Sequence, residues 1–140
     1  MLYASRDPDK PAFSPALPVS LPDGAARSAS LVVLPSGEVI VGYEANPVGG
    51  WKHLVVASKV GAFSAFQSEI IGSTSYLERA DFQLKSNSSH TFASWIDSPT
   101  LMGYAELIDG SWSRPSYEPY SGSGDVEQAR LRILSRLVSH

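Results

Sequence analysis

The chain has 140 residues, the size of one domain able to build its own core, since single domains run to roughly 100–200 residues. Hydrophobic residues at 43% and charged residues at 18% exclude a disordered chain, and 14 acidic against 11 basic side chains leave a net charge of -3, no field for nucleic acid. With no cysteine there is neither a disulfide nor a thiolate metal site, and no apolar run approaches the ~18 residues of a transmembrane helix. The first ten residues lack the apolar stretch of a signal peptide. A cytoplasmic location is therefore expected, with neither membrane nor nucleic acid as a partner.

Residues 29–34 and 38–44 are two runs rich in β-branched side chains, joined by Pro35-Ser36-Gly37. Glycine supplies the positive φ of such a turn, so the pair is predicted as a β-hairpin. Asn46-Pro47 and Gly49-Gly50 punctuate the chain before a third strand over 53–60, and a shorter fourth follows over 67–71. The same order then recurs. Strands are predicted over 80–85, 90–96, 101–107 and 117–120, separated by Asn87-Ser88-Ser89, Asp97-Ser98-Pro99 and Asp109-Gly110.

Laid side by side, the two segments are copies of one unit. Ala29 falls on Ala80, Tyr43 on Trp95, Ala57 on Ala105 and Phe63 on Trp112, a period close to fifty residues (offsets 51, 52, 48 and 49). Four strands repeating at that interval are the signature of propeller blades. Leu2-Tyr3-Ala4-Ser5 matches Val55-Val56-Ala57-Ser58, and Phe13 matches Phe63 and Trp112, which gives half of a third copy. The expected fold is thus mainly β: antiparallel, four-stranded, blade-like meanders with one C-terminal helix. The half blade spans 1–20, and full blades span 28–72 and 79–121.

Past the link Ser121-Gly122-Ser123-Gly124 the period changes to that of a helix over 125–139, with Asp125 as the N-cap. Val126, Ala129, Ile133, Leu134 and Leu137 form an apolar stripe, and Arg130, Arg132 and Arg136 are placed on the opposite face. Either the stripe covers the last blade or it crosses to a second copy of the chain. The second is expected, because two and a half blades leave open sheet edges, which folded proteins generally cover. A homo-oligomer, a dimer first, follows.

The segment Leu101 to Pro115, LMGYAELIDGSWSRP, resembles the strand-turn-strand of sialidase-like propellers, whose Asp-box has the typical form Ser-x-Asp-x-Gly-x-Thr-Trp. Asp109, Gly110 and Trp112 are the similar residues here, Leu2 to Pro15 is a looser copy with Ser5, Asp7 and Phe13, and Val55 to Phe66 keeps Ser58, Gly61 and Phe63 without the Asp. The similarity runs through residues 1–121, yet no copy is complete. It implies a structural role for Asp109, Gly110 and Trp112, the turn and the aromatic that packs it down. It also implies carbohydrate as the ligand class.

Sialidases hold their substrate with three arginines, a tyrosine nucleophile with a glutamate partner, and an aspartic acid. Outside the helix and the Asp-box segment this chain has only Arg6, Arg27 and Arg79. Glu44 and Asp97 lie at equivalent points of the two repeats, and an acid with a nucleophile or base is the minimum for glycoside hydrolysis. Each could equally cap the turn that follows its strand. Trp51, in a loop without a counterpart in the second copy, either stacks on a sugar ring or sits under a neighbouring subunit. Trp51, Glu44, Asp97 and Arg79 are therefore the candidate ligand-binding residues. No catalytic residue is assigned, His53, His90 and His140 are too scattered for a metal motif, and no cofactor is implied. The expected function is a self-associating, non-catalytic binding module; the alternative is a sialidase-like glycoside hydrolase with a site completed across subunits.

Overall fold

Alternation of apolar and polar residues, broken by turn residues, divides the chain into short antiparallel strands. The computed structural model describes residues 1–6, 8–9, 12–13, 16–19, 26–45, 52–61, 65–75, 80–87, 89–120 and 126–138. A two-stranded hairpin comes first, β1 (Leu2–Tyr3) with β2 (Leu17–Pro18). The first sheet follows as a meander in sequence order: β3 (Ala26–Val33), β4 (Val39–Ala45), β5 (Lys52–Lys59) and β6 (Gln67–Thr74). The second sheet is β7 (Gln83–Ser86), β8 (Thr91–Ser98) and β9 (Leu101–Ile108), completed by β10 (Ser111–Trp112) and β11 (Ser116–Pro119). Both β10 and β11 pair with β9, at opposite ends of it, so the two short pieces together do the work of one fourth strand. One helix, α1 (Val126–Val138), closes the chain, and the fold is mainly β, as the sequence predicts.

The turns form for local reasons. Gly37 has φ 87°, and its N–H donates to the Leu34 carbonyl at 2.8 Å to close the β3–β4 turn. Asp109 and Gly110 both have positive φ, 50° and 81°, the conformation of a two-residue hairpin whose twist matches its strands. Asp109 is exposed and acts here as a turn residue. The Asn87 Oδ1 accepts N–H bonds from Ser89 and His90 at 2.8 and 2.7 Å, so this side chain shapes the β7–β8 turn.

The two sheets pack face to face. Ile40, Leu54, Val56 and Ile71 of the first meet Leu84, Ala93, Trp95 and Ala105 of the second, with Ala80 and Phe82 in the same cluster. Trp95 is wholly buried and stacks on Phe82, ring centroids 6.3 Å apart and planes 17° apart. Its indole lies where a side chain at Gly103 would stand, so only glycine fits there. Two further apolar contacts finish the stack. The hairpin lays Tyr3 and Val19 on Val39, Val41, Tyr43, Val55 and Ala57 of the first sheet. On the far side α1 lays Val126, Ala129 and Ile133 on Phe92, Met102 and Tyr120 of the second sheet, with Leu134 at the margin.

This arrangement corrects the placement of the helix. Val126, Ala129 and Ile133 are used inside the chain and not on a second copy, because the outer face of the last sheet is apolar and lies within reach. Leu137 falls outside the described side chains and Asp125 outside the described residues. Arg130 was expected on the open face of the helix but is 3% exposed. It lies on the stripe, four residues after Val126. Its Nε donates to Ser94 Oγ at 3.0 Å, its Nη2 to the Asp81 carbonyl at 2.7 Å, and its Nη1 to Glu127 Oε1 at 2.8 Å. Arg132 and Arg136 do stay on the exposed side, where both pair with Glu118.

The repeat is visible in the register. Tyr43 and Trp95 take the same place on the second strand of their sheets, and Ala57 and Ala105 the same place on the third; all four are buried and face the preceding layer. The aromatic correspondence is shifted. Phe63 lies outside the described residues, and Phe66, next to the Gln67–Ser58 pair, stands where Trp112 stands against Leu107. Phe13 is 67% exposed and packs on neither sheet, and Asp7 lies outside the described residues. Trp112, expected to be buried, is only half-buried at the margin of the central cluster, because the strand carrying it has just two residues.

Two stabilities follow. Trp95→Ala should cost about 3–5 kcal/mol, as deletion of a fully buried large aromatic does, while Trp112→Ala should cost distinctly less. Urea unfolding of the two variants checks the order. Arg130→Ala removes a buried cation and leaves Ser94 and the Asp81 carbonyl without their donor, and should cost roughly 2–3 kcal/mol, whereas Arg132→Ala should stay within about 0.5 kcal/mol, measured the same way.

Candidate functional site

One end of the seam between the sheets collects polar groups. There the strand ends of β4, β5, β6 and β8 meet the start of the second sheet. On β4, Ile40, Gly42 and Glu44 point toward the second sheet; on β8, Ala93 and Trp95 point back toward the first, and Asp97 stands at the irregularity in register between Ile96 and Ser98. Glu44 and Asp97 thus lie at the same end of the two sheets.

Glu44 is 3% exposed. Its Oε1 accepts the Ala80 N–H at 3.2 Å and lies 3.8 Å from Lys52 Nζ. Its Oε2 is buried and, among the described residues, has no hydrogen-bond partner. A buried carboxylate oxygen left unpaired costs on the order of 1–3 kcal/mol. Lys52 stands opposite Thr74 in the β5–β6 register, and the Thr74 hydroxyl donates to the Asp97 carbonyl at 3.2 Å, tying the two sheets together at this end.

Asp97 is half-buried and adjoins Tyr117, which faces the same way across Gly103 as Trp95 does. Burial first, and then the negative charge of Asp97, push the Tyr117 phenol above its ordinary value of 10.0. No hydrogen bond joins Glu44 to Asp97. Of the other two candidates, Trp51 and Arg79 lie outside the described residues.

The described arginines are dispersed. Arg6 lies 5.7 Å over the Phe13 ring, Arg27 stands on the edge strand β3, Arg114 is exposed between β10 and β11, Arg130 is buried between α1 and the second sheet, and Arg132 and Arg136 sit on Glu118. Among the described residues no three His, Asp or Glu side chains gather to hold a metal ion, and no helix is long and apolar enough to cross a membrane. His90 is engaged with Glu106, Nδ1 to Oε1 3.0 Å, at the opposite end of the second sheet.

Lys52, Thr74 and the Ala80 N–H were not singled out from the sequence. Lys52 had one signal, a cation next to the flagged Trp51. Thr74 had none, because the strand that carries it was expected to stop at residue 71. The comparisons with known proteins return no match, whether to a family model, a curated protein or a solved structure.

A pH effect follows from Tyr117. Its raised phenol keeps its proton in the folded chain after the unfolded chain has lost it, so the stability it contributes is complete below pH 10.0 and is lost as pH rises above that through the raised folded value. Phenolate absorbance should show Tyr117 and Tyr120 titrating late, and Asp97→Asn should bring Tyr117 earlier without abolishing its shift, since burial remains.

Proposed function

We propose that the chain is a set of sialidase-like, propeller-type blades serving as a non-catalytic binding module that self-associates, with a hydroxyl-bearing ligand, carbohydrate by the resemblance, taken at the Glu44 end of the seam. The observation that carries the site is the Oε2 of Glu44, buried and without a hydrogen-bond partner among the described residues, on a carboxylate whose Oε1 lies beside the Lys52 ammonium. The blade organisation is supported by the matched register of the two meanders and by their closest approach at the inner strands. There the Leu84 N–H of β7 donates to Ser30 Oγ of β3 at 3.0 Å. Sheets that converge on their first strands and diverge outward stack like blades around an axis.

Binding is favoured over hydrolysis because Glu44 is already committed on one oxygen to the Ala80 N–H, a bond that fixes the chain entering the second sheet. The alternative, a sialidase-like glycoside hydrolase, is favoured by one feature: two carboxylates, Glu44 and Asp97, stand at the same end of the two sheets, and two is the number such chemistry requires. A glycan array with the purified protein, run beside a generic fluorogenic sialoside, separates the two. Retention of a glycan that is lost in Glu44→Gln, without turnover, supports the binding module. Turnover that is lost in both Glu44→Gln and Asp97→Asn supports the hydrolase. An empty array with no turnover overturns the assignment of carbohydrate.

A further inference from the structure

We propose that Lys59 binds the carboxylate of a small organic acid, in a site at the opposite end of β5 from Lys52 and separate from the Glu44 end of the seam.

Along β5, Val55, Ala57 and Lys59 alternate onto the face that the β1–β2 hairpin covers, and Lys59 stands opposite Val39 in the β4–β5 register. Its stem lies on an apolar surface, and the residue is 8% exposed. The ammonium has few partners there. Nζ donates to the Gly61 carbonyl at 3.2 Å and lies 5.2 Å from the centre of the Tyr3 ring and 6.0 Å from that of Phe66. Ring faces stabilise a cation, but at these distances they accept no directed hydrogen bond. An ammonium has three N–H donors, so two remain.

Among the described residues no carboxylate pairs with Lys59. The other buried cation, Arg130, has two, on Asp81 and Glu127. Buried charges are ordinarily paired, because stripping water from an ion is costly unless a counter-charge replaces it. The counter-charge that Lys59 lacks inside the chain is what a ligand would bring.

Room for that ligand lies beside it. Ser58, Lys59, Val60, Ala65 and Gln67 line a cavity of about 450 Å³ where β5 ends, within the roughly 300–1,000 Å³ of small-molecule sites. Ser58 and Gln67 pair across β5–β6, and their hydroxyl and amide add neutral donors to the one charge. Val60 and Ala65, both exposed, give the cavity an apolar wall suited to a short carbon body. One ammonium matches one carboxylate. A phosphate dianion would leave a negative charge over, in a chain whose net charge is already -3.

Titration of the full chain with sodium butyrate at constant ionic strength, followed by melting temperature and amide NMR spectra, tests this. Butyrate should bind saturably and move the amide signals of Lys59, Val60 and Gly61, whereas butyramide, of the same shape without the charge, should not. Lys59→Met keeps the stem and removes the ammonium. It should melt no lower than the wild type, since an apolar side chain replaces an unpaired buried ion, and should lose about tenfold or more in butyrate affinity. An apolar dipeptide with a free C-terminus, run beside its amide, distinguishes the source: tighter binding than butyrate assigns a chain terminus, weaker binding a free acid. Absence of saturable binding by either acid overturns the proposal, as does butyramide binding as well as butyrate or an unchanged affinity in Lys59→Met. A Lys59→Met chain that melts well below the wild type also overturns it, because the rings and the Gly61 carbonyl are then sufficient partners for the charge. None of these results bears on glycan retention at Glu44.

Discussion

A β-strand with apolar side chains on both faces must be covered twice, and β4 is such a strand. Six of its seven residues, Val39 to Glu44, are buried. Val39, Val41 and Tyr43 need cover on one side, Ile40 and Gly42 on the other, and no single sheet provides both. The order of layers follows from that need: hairpin, first sheet, second sheet, helix. Strand β8 repeats the demand, with Ala93 and Trp95 turned to the first sheet and Phe92 turned to the helix. Each layer is there because its neighbour cannot face water.

The helix meets the last of these demands in a way no strand could. Its apolar stripe is wide enough to carry Val126, Ala129 and Ile133 and still include Arg130. That arginine reaches across the sheet to Ser94, the one polar residue on the helix-facing side of β8 between Phe92 and Ile96. A buried guanidinium needs several acceptors, and it finds them on Ser94, Asp81 and Glu127. The pairing fixes the helix in one register, because an apolar stripe alone would allow it to slide by a turn. Asp81 takes part with φ 48°, a strained value for a non-glycine residue that also delays the start of β7 to Gln83.

Much of the architecture was legible in the sequence, and what was not has local causes. The meanders were readable because β-branched runs alternate with glycine and asparagine turns at a steady interval, and Tyr43 and Trp95 mark the same place in each copy. The fourth strand of the first sheet runs on to Thr74 past Gly72, since a glycine there is tolerated where Trp95 comes close. The pairing of Phe63 with Trp112 went astray because the β5–β6 and β9–β10 connections differ in length, which only the strand register reveals. For the site, Glu44 and Asp97 were found by repeat position. The irregularity in register at Asp97, between Ile96 and Ser98, is not written in the alternation of residues. Arg130 was misplaced because charge was weighed above its position on the stripe.

The split fourth strand of the second sheet has a consequence for how this chain behaves in company. Between β10 and β11 the outer edge is interrupted at Ser113 to Pro115, where the Ser113 N–H is already spent on the Glu106 carbonyl at 2.8 Å. Pro119 near its far end has no N–H to offer. A growing cross-β stack needs an unbroken row of donors and acceptors on a straight strand, and this edge presents two short rows out of line. The margin of the molecule farthest along the chain is therefore a poor template for templated aggregation, protected by its irregularity and not by charge.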